Sequence, residues 1–127
     1  MLGNEGQAAS TQIMLSPVSA ANTAAATSGW IDVRGMQGDI VITVQTGAIT
    51  GGIVYTLEDA STSGGGSSAS ITANEGAFAA VTANTVQTRT INAKAHRGWI
   101  RLVGTITTGP VLVAANCKSR PTKTYSD

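Results

Sequence analysis

Short runs of alternating apolar and polar residues, separated by glycine-rich turns, form the main pattern of this chain. In the run 40–45, Ile40, Ile42 and Val44 fall on one face, and the intervening residues fall on the other. This period of two predicts a β-strand with one buried face. Similar short runs occur at 13–18, 30–33, 53–59, 86–91, 99–103 and 111–117.

About seven or eight such runs, with a turn signal roughly every ten residues, are typical of an antiparallel sandwich or barrel. No segment has an apolar stripe at helical spacing. We therefore expect an all-β fold: an antiparallel β-sandwich, jelly-roll-like, with extended termini. The core is predicted to contain Ile40, Ile42, Val44, Ile53, Tyr55, Leu57, Ile100, Leu102, Val111 and Val113.

The chain of 127 residues is predicted to form one domain with an arm at each end. Residues 1–28 are assigned to an extended N-terminal arm, 29–118 to the sandwich and 119–127 to a basic C-terminal tail. Within the arm, Pro17 favours an edge position for any strand, and 19–28 is interpreted as an extended connection. The Gly/Ser-rich stretch 61–68 is predicted to be flexible.

Charge is scarce, since charged residues make up 12% of the chain, about half the usual level of roughly 25%. Either small polar residues or a partner must therefore cover the surface. The net charge of +1 gives no indication of direct nucleic-acid binding. The N-terminus does not resemble a signal peptide, and the apolar runs are too short to span a membrane. We expect a soluble protein made in the cytoplasm.

Groups for catalysis or metal binding are few. Cys117 lies in an apolar strand run and is interpreted as a core residue. His96 has cationic neighbours and is interpreted as a turn residue. One histidine and one cysteine do not make a zinc site. No catalytic residue, cofactor or metal is expected, and Trp30 and Trp99 are predicted to be core or interface anchors rather than sugar platforms.

The densest basic region contains Arg89, Lys94, His96, Arg97 and Arg101. These residues could be solvated strand ends, or Arg101 could pair with a carboxylate across the sheet. They could also contact an acidic patch on a partner, because arginine is enriched in interfaces and binds carboxylates through two hydrogen bonds. Arg89, Lys94, Arg97 and Arg101 are therefore the candidate partner contacts.

Two segments resemble small structural proteins of tailed bacteriophages, most closely capsid decoration (cement) proteins. One is Trp30-Ile31-Asp32-Val33-Arg34-Gly35 followed by Gly38-Asp39-Ile40; the other is Ala95-His96-Arg97-Gly98-Trp99-Ile100-Arg101-Leu102-Val103-Gly104-Thr105. The likeness covers roughly residues 30–120. It implies a β-sandwich that binds an assembled shell and catalyses no reaction, and it identifies no contact residues.

The resulting hypothesis is a non-enzymatic virion protein that stabilises the capsid. The expected partners are the major capsid protein or another virion protein, together with further copies of the chain as a dimer or trimer. Two alternatives stay open: a tail, neck or fibre component, and a β-sandwich module that binds carbohydrate or another ligand. An enzyme is the least favoured interpretation, because few groups are available to carry chemistry.

Overall fold

Eight β-strands build the molecule in a computed structural model that describes residues 10–34, 39–92 and 96–119. No helix able to cross a membrane occurs in these ranges. The strands are β1 (Ser10–Ala20), β2 (Ile31–Asp32), β3 (Ile40–Ile49), β4 (Ile53–Ala60), β5 (Ala69–Ile71), β6 (Thr85–Ile91), β7 (Trp99–Ile106) and β8 (Val111–Ser119).

The strands pair as a folded ribbon. β1 pairs with β8, β2 with β7, β3 with β6 and β4 with β5, all antiparallel. Further pairing of β3 with β8 and of β4 with β7 completes two four-stranded sheets, ordered β1-β8-β3-β6 and β2-β7-β4-β5. This nested connectivity is a jelly roll, in which two sheets pack face to face. The predicted all-β antiparallel sandwich is confirmed.

The core lies between the sheets and is made by the inward positions of each strand. Every residue of the predicted core is at most 3% exposed. Cys117 also points into the core and is fully buried, as its apolar setting predicted. The alternation therefore placed the buried face of β3, β4, β7 and β8 correctly.

The predicted boundary at residue 29 does not match the strand arrangement. Ser10–Ala20 pairs with β8 from Ser10↔Ser119 to Ala20↔Val111, so this part of the assigned arm belongs to the sandwich. The predicted strand run 13–18 lies within this strand, and two register shifts interrupt its pairing with β8. Pro17 does lie on an edge strand, as predicted.

The segment 19–28 is not a simple extended connection. After β1 ends, the amide of Ala26 donates to the carbonyls of Asn22 and Thr23, and the Asn22 side chain accepts from the amide of Ala25. These bonds close one helical turn, which suits the alanine-rich sequence. The chain then becomes extended beside β7, where Thr27 bridges to Val103.

The strand β5, Ala69–Ile71, was not predicted. It pairs with β4 through Leu57↔Ile71 and Asp59↔Ala69. Only three residues long, it follows a Gly/Ser-rich stretch, so no alternation is visible over its length. Its position is fixed by the neighbouring strand rather than by a local sequence signal.

Candidate interaction surfaces

The predicted basic contacts do not form one cluster. Arg89 lies on β6, in one sheet, whereas Arg101 lies on β7, in the other. Arg97 lies in the turn before β7. Lys94 lies outside the described residues. Their role as partner contacts stays a prediction, and each of the three described arginines also has partners within the chain.

Arg101 stands at the centre of the outer face of β7. Its guanidinium bonds to Glu58 Oε1 at 2.8 Å from Nε and 2.7 Å from Nη2, and Glu58 is its direct cross-strand neighbour. The same guanidinium lies 4.6 Å from the ring centroid of Trp30. The pairing with a carboxylate across the sheet, one of the two structural alternatives for Arg101, is therefore present.

Arg97 fastens the loop 61–68 to the sheet. Its Nη2 donates to Asp59 Oδ1 at 2.9 Å and to the carbonyl of Ser67. The hydrogen bond to Asp59 raises the pKa of the Arg97 guanidinium, so it stays charged. Asp59 is 4% exposed, and a buried carboxylate needs such a partner. Arg97 thus ties the loop 61–68 to the buried side chain of Asp59.

The loop 61–68, predicted to be flexible, has defined contacts. The amide of Gly66 donates to Thr62 Oγ1 at 2.9 Å, and Gly65 packs against the indole of Trp30 with a positive φ of 81°. A Cβ at Gly65 would come within 2.7 Å of Trp30 Nε1. Glycine is therefore required here by both backbone conformation and close approach.

The tryptophans are half-buried, and each has an arginine over its ring. Arg34 lies 5.0 Å from the centroid of Trp99 and forms an ion pair with Asp32 at 2.9 Å. That hydrogen-bonded pair lowers the pKa of Asp32 to about 2. Stacking of an arginine guanidinium on a tryptophan ring stabilises both side chains. It also occupies a ring surface that a sugar would use.

The single cysteine and histidine have the environments of structural residues. Burial raises the pKa of the Cys117 thiol to about 11, so the reactive thiolate is disfavoured at neutral pH. His96 accepts a hydrogen bond at Nδ1 from the Gly98 amide at 3.1 Å, and burial lowers its pKa. Within the described ranges, no three His, Cys, Asp or Glu side chains group together as metal ligands.

The outer face of β1-β8-β3-β6 differs sharply from that of the other sheet. Of the outward positions of its four strands, only Lys118 carries a charge. Glu75 lies at the margin, where its carboxylate accepts from the amide and hydroxyl of Thr90 at 2.7 Å each. We call this surface the uncharged face. Its other outward residues include Thr11, Ile13, Ser19, Val41, Thr43, Gln45, Val86, Thr88, Leu112, Ala114 and Asn116.

Large apolar side chains are exposed mainly on the uncharged face. Ile13 is 66% exposed, Val86 62% and Leu112 45%. Val54, on β4 of the other sheet, is 41% exposed. Single exposed apolar residues are ordinary, but a shared face without charge is typical of a contact surface.

A shallow hollow of about 520 Å³ lies at one end of the uncharged face. Pro17, Gln45, Val86 and Leu112 are among its lining residues. Gly47 also lines it, and a Cβ there would lie 3.2 Å from Leu112 Cβ. The missing side chain and the register shift after Thr46 therefore help to shape the hollow.

Both edges of this sheet carry features that discourage strand addition. On β6, the backbone of Thr90 is satisfied by the Asn74 amide at 2.8 Å and by the Glu75 carboxylate. On β1, Pro17 and two register shifts interrupt the ladder. Such devices block edge pairing in natural sheets. A partner therefore finds the uncharged face more accessible than the strand edges.

Sequence reasoning missed the uncharged face. Its signal was the absence of charge at alternate positions of four strands far apart in the chain. No single strand reveals it, because threonine, valine and glutamine are ordinary outward residues of a strand. The face emerges only when the sheet order is known.

No family model matches the chain, and no curated protein sequence matches it. Among solved structures, it is similar to the crystal structure of the SPBc2 prophage-derived protein YomS. The sequence identity is 16% and the TM-score 0.48, over 87% of this chain and 93% of that one.

Proposed function

We propose that this chain is a non-enzymatic structural protein of a tailed-bacteriophage virion that binds and stabilises the assembled capsid. The observation that carries the proposal is a surface with two different contact faces: the uncharged face, with exposed Ile13, Val86 and Leu112, and the opposite sheet, with the partly exposed candidate contact Arg101. A surface of this kind favours protein contact. The sequence resemblance in 30–40 and 95–105 supplies the class of assembly.

The use of the ionisable side chains supports a binding protein over an enzyme. Arg97 holds a loop, Arg101 pairs with Glu58, and Glu75 covers the edge of β6. These groups act within the fold, whereas catalysis requires groups that converge on a substrate. These groups stabilise the sandwich, and we expect the protein to act by binding through its surface.

The mechanism is additive stabilisation. A protein that binds the assembled shell but not its separated subunits shifts the equilibrium toward the shell by its binding free energy. Many copies add their contributions around the particle. Arg89, Lys94, Arg97 and Arg101 stay the candidate contacts with an acidic patch on the shell. In the fold, the side chain of Arg97 is 39% exposed and that of Arg101 is 31% exposed, which leaves both partly accessible.

A deletion experiment tests the proposal in the virion. Phage lacking this chain should assemble heads that lose their DNA at a lower temperature, and purified protein should restore the original heat resistance. Unchanged heat resistance together with density for the chain in the tail would overturn capsid stabilisation and favour the tail, neck or fibre alternative. Density on the head surface would support it.

The candidate contacts can be tested with a pair of arginine variants. Arg101→Gln should weaken binding to the shell, while Arg34→Gln should leave it unchanged. The pair is matched, because each arginine stacks on a tryptophan and pairs with a carboxylate. Equal binding by both variants would remove Arg101 from the contact set.

A further inference from the structure

We propose that the uncharged face joins two copies of this chain in a two-fold dimer, with Ile13 of each copy entering the hollow of the other. The inference goes beyond capsid binding and assigns the uncharged face to a second copy, which leaves the sheet that carries Arg101 free to contact the shell. It concerns the surface formed by β1, β8, β3 and β6, and it names a second copy as the occupant.

The size of the face fits a stable dimer. Four strands spaced by about 4.8 Å give a width of roughly 19 Å. The ten residues of β3 rise about 3.3 Å each, which gives a length of roughly 33 Å. The flat area is therefore roughly 600 Å², and side-chain relief increases it toward the ~800 Å² per partner of a standard interface. Two such sheets can stack about 10 Å apart, as the sheets of one sandwich do.

The scarcity of charge on this face is compatible with a second copy as its occupant. In a two-fold interface a surface meets its own image, so like charges on it would face each other. The uncharged face has Lys118 alone among its outward strand positions. With the two-fold axis across the strands, the two copies run in opposite directions, and Lys118 lies over the Leu112 end of its partner. The two lysines are then well separated.

The same symmetry brings a projecting side chain to a hollow. Ile13 is opposite Asn116 on β8, whereas the hollow is lined by Pro17 and Leu112. Four residues along β8 separate these two places, roughly 13 Å. Reversal of the strand direction puts Ile13 of one copy above the hollow of the other. Each copy thus supplies one apolar projection and one receptacle, a self-complementary arrangement.

Sedimentation equilibrium of the purified chain tests the inference. The wild-type protein should be a dimer, and Leu112→Glu or Ile13→Glu should raise the dimer dissociation constant at least about tenfold. Val54→Glu is the matched control, because Val54 and Leu112 are 41% and 45% exposed on opposite sheets. A monomeric wild type, or equal dimerisation of Leu112→Glu and Val54→Glu, would overturn the proposal. Thermal unfolding of each variant confirms that the sandwich is intact.

Cross-linking tests the orientation. The double variant Ile13→Cys/Leu112→Cys cannot close a disulfide within one copy, because its sites lie roughly 13 Å apart and a disulfide needs Cα atoms within about 7 Å. Across the two-fold axis the two side chains face each other between sheets about 10 Å apart, which is also too far for a disulfide, so a bis-maleimide whose spacer is shorter than the roughly 13 Å between the sites of one copy should give covalent dimers. The control Ile13→Cys/Val54→Cys should stay uncross-linked under the same conditions. Covalent dimers in equal yield from both variants, or from neither, would overturn the arrangement.

Discussion

Thr46 and Tyr55 join the two sheets through a hydrogen bond inside the core. Thr46 Oγ1 and Tyr55 Oη lie 2.6 Å apart, and the two residues belong to β3 and β4 of opposite sheets. They are 4% and 1% exposed. Burial raises the pKa of Tyr55, and the hydrogen bond between Tyr55 and Thr46 opposes that effect. Each hydroxyl therefore satisfies the other where water has little access.

The first prediction concerns this pair. Thr46→Val should lower the free energy of unfolding by about 1–3 kcal/mol, because it leaves the buried Tyr55 hydroxyl without its partner. Tyr55→Phe should lower the free energy of unfolding by a similar amount, because it leaves the buried Thr46 hydroxyl without its partner. The double variant should lose less than the sum of the single variants by at least about 0.5 kcal/mol. Urea unfolding measures all three, and strictly additive losses would contradict the coupling.

The second prediction concerns the core face of β3. Ile42→Ala should lower the free energy of unfolding by about 2–5 kcal/mol, since it leaves a cavity among fully buried neighbours. Val86→Ala, on the adjacent strand β6 but 62% exposed, should change it by no more than about 0.5 kcal/mol. Chemical unfolding of the two variants makes the comparison, and a reversed order would mean that the faces of this sheet are misassigned.

The third prediction concerns the glycine-rich loop. Gly65→Ala should destabilise the protein by about 1–3 kcal/mol, because a side chain is strained at positive φ and Trp30 lies in its way. It should also change the tryptophan emission spectrum. Gly64→Ala is the control, since a Cβ at Gly64 meets nothing within 4 Å. If both variants show the same stability and emission, the loop does not pack on Trp30.

The fourth prediction concerns alkaline pH. The pKa of Cys117 rises from 9.0 to about 11 on folding. The contribution of the neutral Cys117 thiol to the free energy of unfolding is therefore fully present below pH 9 and is lost as the pH approaches 11. At most roughly 3 kcal/mol of stability is involved, since one pKa unit corresponds to about 1.4 kcal/mol. Cys117→Ala should flatten the decline between these values, although Tyr55 still contributes above its own ordinary pKa of 10.0.

The predicted loss of stability with rising pH is checked by measuring the free energy of unfolding from pH 8 to 11. The wild type should lose stability more steeply than Cys117→Ala, and a thiol reagent should react slowly with the folded chain at pH 8. Parallel pH profiles for the two proteins would show that the thiol does not titrate with unfolding.

The sequence predicts the central strands well, because local alternation and burial agree there. Ile40, Ile42 and Val44 repeat at a period of two and are buried together. In β1 the sequence predicts only the run 13–18, and the register shifts around Leu15 leave no local signal that the strand extends from Ser10 to Ala20 along β8. Local pattern thus gives the full extent of a strand only where the ladder is regular.

The local sequence pattern does not show which side chains pair when they are far apart in the chain. Arg101 pairs with Glu58, 43 residues away, and Arg97 with Asp59, 38 residues away. The sequence shows that such residues exist but not which of them meet. The uncharged face is hidden from the sequence for the same reason, because only the order of the strands in the sheet brings β1, β8, β3 and β6 side by side.

Binding of the purified chain to shells that lack it tests the central claim most directly. Expanded capsids should be mixed with increasing amounts of protein, sedimented, and assayed for bound copies and for the temperature at which the shell comes apart. The account predicts saturable binding at a fixed number of copies per shell and a higher disruption temperature at saturation. No co-sedimentation, or binding that leaves the disruption temperature unchanged, would contradict it.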